Sequence, residues 1–218
     1  MRLIDLSQPV YADCPICPVH PPVRSEIIAD HKKDGWLVEH LTLTAHTGSH
    51  LDAPLHKIAG GKSIDQLPLD RFTGPAVMAD LRDCRPDQPF TSSMIGRKLM
   101  NVKLEDKIVI VATGWGQKRA KTEEWEKYPP YLSPDGAEWM VEQKIRGVAI
   151  DTYSIGGARA EQNTLTHEML LRAEIWILEE LRLPEELFGL PQPFDLWCLP
   201  VNSKGFSGSF CRPVAVVR

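Results

Sequence analysis

Residues 46–56 read His-Thr-Gly-Ser-His-Leu-Asp-Ala-Pro-Leu-His, which gathers three imidazoles and a carboxylate in a chain holding 7 histidines. Two neutral imidazoles, His46 and His50, with the carboxylate of Asp52 make a donor set for a divalent transition metal such as zinc, manganese or iron. His56, at the far end of the stretch, is either a further ligand or a proton-transfer group beside the metal. Surface histidines and a solvated aspartate would explain any one of these residues, but not four candidate donors at this spacing.

Positioning them is a backbone problem. Gly48 is permissive and Pro54 lacks the amide a helix needs, so the stretch reads as a strand end running into a loop. In extended backbone His50 and Asp52 point the same way while Leu51 faces the core. A turn at Thr47-Gly48-Ser49 then folds His46 back toward them.

A site built from one segment needs closure from elsewhere. The stretch NTLTHEMLLRAEIWILEELRLP offers His167 and Glu179, which a continuous helix would hold about 18 Å apart along its axis. A break resolves this. Asn163 or Thr164 caps a short helix through Leu171, Arg172-Ala173-Glu174 turns the chain, and the β-branched and aromatic run from Ile175 returns as a strand. That reversal sets His167 beside Glu179. His167-Glu168 lacks the second histidine of a zinc-protease motif, so the chemistry is not read from that pair.

The remaining elements follow from periodicity. LIDLS and LVEHLTLTA alternate as half-buried strands do, AVMADL and KIVIVAT are short apolar strands, and GVAIDTYS is another. SPDGAEWMVEQKI reads as a helix with Ser133 as its cap and Pro134 in its first turn. The mixture predicts an α/β or α+β domain with a mixed sheet.

Length and composition set the frame. A chain of 218 residues with no linker is expected to form one domain spanning 1–218, and 43% hydrophobic with 25% charged residues suits a globular protein. A net charge of -4 without a basic run gives no footprint for nucleic acid, so a small-molecule partner is expected. No apolar run suits a membrane span or a signal peptide, which makes cytoplasmic the expected location. Of the 5 cysteines only Cys14 and Cys17 lie close together, and reduced thiols are expected.

With these pieces in order, the sequence resembles the cyclase family of metal-dependent hydrolases, which includes bacterial kynurenine formamidase and isatin hydrolase. HTGSHLDAPLH is similar to that family's His-x-Gly-Thr-His-x-Asp-x-Pro-x-His signature, with Ser49 in place of threonine. The likeness extends through IDLSQPV, VATGW, YLSPDGAEWMV, GVAIDTYSI, HEMLL, ILEEL and LPVNSKGFSGSFCRPVAV. It implies that His46, His50 and Asp52 ligate metal, that His167 and Glu179 complete a site for one or two zinc or manganese ions, and that His56 is the proton donor and acceptor. It further implies a swivelling β/β/α fold and a homodimer or larger homo-oligomer whose neighbouring subunit helps wall the pocket. Formamidases of this kind carry a tryptophan near the N-terminus that contacts an aromatic substrate. Its counterpart here is Cys17, which offers far less stacking surface.

The expected chemistry is hydrolysis. A bound divalent ion lowers the pKa of water from about 15.7 to near 7. The resulting hydroxide would attack the carbonyl carbon of a small amide, lactam, ester or lactone while His56 moves the proton. Trp115, in ATGWG, is expected either to wall the pocket or to pack in the core, and Ser207 and Ser209 lack the setting of a serine nucleophile. Two alternatives use the same residues. A non-haem iron(II) oxygenase would use His50, Asp52 and a distant histidine, but leaves His46 and His56 surplus. A non-catalytic metal-binding module would keep no position open for water and would need no His56.

Overall fold

Alternating apolar side chains let a single sheet be buried on both faces, and the central strands of this chain use that freedom. The computed structural model describes residues 1–217. Its strands are β1 (Arg2–Asp5), β2 (Arg24–Ala29), β3 (Val38–Thr42), β4 (His50–Asp52), β5 (Thr73–Asp80), β6 (Pro89–Phe90), β7 (Ile108–Ala112), β8 (Tyr131–Leu132), β9 (Gly147–Ile150), β10 (Trp176–Glu179), β11 (Phe194–Trp197), β12 (Gly208–Phe210) and β13 (Val214–Val217). The helices are α1 (Ser92–Lys98), α2 (Glu123–Lys127), α3 (Pro134–Glu142) and α4 (Ala160–Arg172).

Nine strands form one sheet in the order β1-β13-β11-β5-β7-β9-β10-β4-β12. β5, β7, β9 and β10 run parallel, and the strands outside them pair antiparallel. The sheet is therefore mixed, and the fold is α/β as expected. Helices α1, α3 and α4 make the crossovers that parallel neighbours require.

Side-chain alternation divides the core in two. Val77, Val109, Val111, Val148, Ile150 and Ile177 pack with Ile95, Met140, Leu170 and Leu171 of the helices. Their sequence neighbours Ala76, Met78, Ile108, Ile110, Ala149 and Leu178 fill the opposite face. Ile4, Ala215 and Leu196, on the adjacent strands β1, β13 and β11, share that second cluster with Leu51 on β4 near the opposite edge, so the sheet curls around it.

Three local expectations need adjustment. Helix α4 begins at Ala160, with Arg159 as its N-cap, so neither Asn163 nor Thr164 caps it. Asn163 instead lies inside the helix, where its side chain accepts a hydrogen bond from Ser154 Oγ (2.8 Å). The LVEHLTLTA strand forms as β3, but all five of its residues are exposed, because it pairs only with β2 in a hairpin outside the main sheet. Third, the helix at Ser133 ends at Glu142, sooner than its sequence pattern suggested, while Ser133 Oγ caps it by accepting from Gly136 N.

Candidate active site

The register of β4 decides which way its donors face. His50 lies opposite Glu179 and Asp52 opposite Ile177 on β10, while Leu51 and Leu178 face each other across the same pair. Leu51 is fully buried in the curled core. His50, Asp52 and Glu179 consequently share the helix-covered face, and α4 lays His167 over them. The short turn Arg172-Ala173-Glu174, with Glu174 at φ 57°, reverses the chain from α4 into β10.

His46 arrives by the predicted turn. Gly48 adopts φ +62°, a conformation few other residues tolerate, and the ring of His46 swings back so that Nδ1 lies 2.7 Å from Asp52 Oδ1. Its Nε2 is 2.9 Å from Ser207 Oγ, so Ser207 orients an imidazole. A Cβ on Gly208 would stand 2.5 Å from both the His46 ring and the Leu51 carbonyl, which is why β12 can lie this close.

Second contacts fix the other two rings. His50 Nδ1 donates to the Gly48 carbonyl (2.8 Å) and His167 Nδ1 to the Asn163 carbonyl (2.8 Å), so each presents Nε2 to the carboxylates. His50 Nε2 is 3.5 Å from Asp52 and 3.4 Å from Glu179. His167 Nε2 is 3.6 Å from Asp52 and 3.3 Å from Glu179. These separations are long for strong hydrogen bonds, but they match the edge of roughly 3.3 Å of a tetrahedron with zinc-ligand bonds of about 2.0 Å. Asp52 is fully buried, and its Oδ2 has no hydrogen-bond partner. Glu179 Oε1 accepts from Ile155 N (2.6 Å), which anchors that carboxylate.

Two groupings of possible metal donors emerge, His46 with Asp52 and His56, and His50 with Asp52 and Glu179. Asp52 belongs to both. The histidines and carboxylates fit a divalent cation in charge, donor type and spacing.

His46, His50, His56, His167 and Glu179 line a cavity of about 220 Å³ that also takes in Cys17, His20, Lys57, Tyr153 and Asn163, with Asp52 buried behind them. Five of the 7 histidines are on its wall. His20 is the one that the sequence reading missed. It comes from a proline-flanked loop, its ring lies 6.3 Å from that of His46, and its buried Nδ1 has no partner. The only local signal was its position between valine and two prolines, which carries no ligand spacing.

His56 follows Pro54 on a short turn and stands at the cavity mouth, its ring centroid 4.0 Å from His46 and 5.8 Å from His167. Partial burial pushes its imidazole below the usual value, despite the opposing charge of Asp52. Cys17 also lines the cavity, and burial pushes its thiol up to about 12, so it forms a neutral wall. Trp115 is placed differently. It is 2% exposed and packs with Trp125 and Tyr153 behind the wall, so Tyr153 meets the cavity and Trp115 supports it. Glu180, next to Glu179, takes φ 54° and turns away to Arg119 (3.5 Å).

Electrostatics of the histidine and carboxylate cluster are unusual. Burial alone would lower the His50 imidazole, but its hydrogen bond with Glu179 and the charge of Asp52 outweigh burial and raise it to about 9. The same opposition, burial against the neighbouring Asp52 and Glu179 carboxylates, raises His167 to about 10. Because these folded-state values lie above the ordinary imidazole value near 6.5, their stabilisation is complete below that pH and is lost as pH climbs through 9 and 10. The metal-free protein should therefore melt at falling temperature between pH 7 and 10. A cation held by these two rings would need both neutral, so uptake at pH 7 is then expected to release about two protons. Calorimetry in buffers of different ionisation enthalpy measures that number, and uptake without proton release would contradict the arrangement.

Comparison with known proteins follows the same lines. A family model described as putative cyclase matches residues 4–156, which includes the histidine-rich stretch and stops short of His167 and Glu179. Kynurenine formamidase of Bacillus mycoides is 29% identical over 215 residues, covering 97% of this chain and 95% of its own. The Bordetella avium kynurenine formamidase is 28% identical over 204 residues, covering 92% of this chain and 90% of its own. Among solved structures, isatin hydrolase A from Ralstonia solanacearum superposes with a TM-score of 0.85 at 22% identity, over 100% of this chain and 92% of that one. Isatin hydrolase A from Labrenzia aggregata gives 0.84 at 25% identity, over 99% and 93%.

Proposed function

The chain belongs to the cyclase family, and from that membership we propose that it is a metal-dependent hydrolase cleaving a small amide or lactam at a carbon-nitrogen bond other than a peptide bond. One observation carries the reading: imidazoles and the Glu179 carboxylate from two widely separated segments meet on one cavity wall over the buried Asp52, with His56 at its mouth. We assign zinc or manganese, one or two ions per subunit, to His46, His50, Asp52, His167 and Glu179. When bound, such an ion supplies an activated water and polarises a carbonyl.

The chain's own residues do the rest. His50 and His167 present Nε2, and His46 presents Nδ1, each held by a second contact at the other ring nitrogen. Asp52, shared by both donor groupings, would help hold an ion in either of them. His56, neutral near pH 7 because its imidazole is lowered, accepts a proton on its free ring nitrogen and returns it to the leaving nitrogen. Cys17 and Tyr153 wall the substrate. A small wall residue at Cys17 favours an amide or lactam whose recognition does not depend on stacking.

The whole of residues 1–218 serves as one catalytic domain in this reading, working in the cytoplasm as a homodimer or larger homo-oligomer. Support for self-association comes from the β2-β3 hairpin and its loop, where Ile27, Ile28, Trp36, Leu37 and Leu41 are all exposed. No helix among the described residues is long and apolar enough to cross a membrane.

The test is to measure bound metal, strip it with chelator, reload with zinc or manganese, and assay N-formylkynurenine, isatin and a simple lactone. Hydrolysis of at least one, without oxygen consumption, is expected. A metal-loaded protein inert toward all three would remove the substrate class, and oxygen uptake would favour the iron oxygenase.

A further inference from the structure

Directly after His56 comes Lys57, the C-cap of the same short turn. Its ammonium reaches across to α4, with Nζ 3.3 Å from Thr164 Oγ1. Lys57 and Thr164 both line the cavity that holds the histidines. Thr164 precedes His167 by three residues, so the two share a helix face about 4.5 Å apart along the axis. The ammonium accordingly stands less than a helical turn beyond the metal donors, at the rim.

Glu179 is the other charged residue lining the cavity among those described, and the charges nearby are paired. Asp52 and Glu179 face the histidines. Lys62, a few residues on, pairs with Glu174, and Lys127 with Glu123. Lys57 makes its only described contact with a neutral hydroxyl, and among the described residues it is the only lysine or arginine lining this cavity. Lys57 is exposed, and its side chain reaches from the turn that carries His56 to the helix that carries His167.

We propose that Lys57 is a specificity-determining residue that recognises an anionic group, a carboxylate in the first instance, on the substrate beside the scissile carbonyl. The inference rests on the hydrolase reading above and deepens it, because it narrows the substrate class to amides that carry a negative charge. A rim ammonium acts through a partly screened charge, so the expected preference is about tenfold and shrinks as salt is added.

The test compares 2-formamidobenzoate with neutral formanilide on the metal-loaded protein. The readout is the ratio of their kcat/KM values, which cancels any effect common to both. Wild type is expected to favour the anion about tenfold, Lys57→Met to bring the ratio near one mainly through KM, Lys57→Arg to retain it, and Lys57→Glu to invert it. A ratio that Lys57→Met leaves unchanged overturns the proposal. Binding supplies an arm independent of turnover: benzoate should bind wild type about tenfold more tightly than Lys57→Met by calorimetry, with benzamide losing nothing comparable. Equal benzoate affinities would overturn the role of Lys57 even if both formamides were inert, whereas inert formamides with the benzoate difference intact would count against the hydrolase reading alone.

Discussion

Replacing Asp52 with asparagine is expected to abolish both metal retention and turnover, with the rate falling by at least about a thousandfold. The size follows from its position. Asp52 is the one carboxylate common to both donor groupings, it is fully buried, and one of its oxygens has no other partner. Asparagine keeps the shape but removes the charge that offsets the cation, and leaves a buried amide facing imidazoles. Its fold should survive, because the strand is fixed by Leu51 and by its pairing on both sides. Metal analysis by mass spectrometry together with near-ultraviolet circular dichroism checks this. A variant that retains a full complement of metal would show that Asp52 is not a ligand.

Changing His56 to alanine is the second large effect, a loss of about 10²- to 10⁴-fold in kcat. The variant separates two roles that geometry leaves adjacent, since His56 also belongs to one donor grouping with His46 and Asp52. If His56 moves the proton, metal content stays at the wild-type level and the acid limb of the pH-rate profile, set by an imidazole below its usual value, disappears. If His56 is a ligand, metal is lost along with activity. A variant that hydrolyses as fast as wild type would remove both roles.

Local chemistry made much of this site readable beforehand. Alternation in a strand is a two-residue rule, so the shared face of His50 and Asp52 and the inward turn of Leu51 followed from the order of three letters. Gly48 and Pro54 likewise announced the turn and the exit. The meeting of His167 and Glu179 required a helix to break, and the β-branched run at Ile175 gave the sign. What stayed hidden depended on long-range packing. His20 reaches the cavity beside the ring of His46, which nothing in Val-His-Pro reveals. Trp115 could have faced either way, and the neighbouring Trp125 and Tyr153 drew it inward. Helix α4 starts earlier than its polar residues suggested because packing against Ser154 outweighs the capping habit of Asn163. The exposed β3 shows the converse, since alternation marks a strand without saying whether anything will cover it.

The placement of β4 between β10 and β12 has a consequence for how the protein matures. His46 to His56 leave the ribosome long before either neighbouring strand has been synthesised. A three-residue strand has no stability of its own, so it can form only when the last stretch of chain docks. An ion held by His46, His50, Asp52, His167 and Glu179 would thus load only after β10 is made, because a nascent polypeptide that stops short of Glu179 carries imidazoles without the second carboxylate.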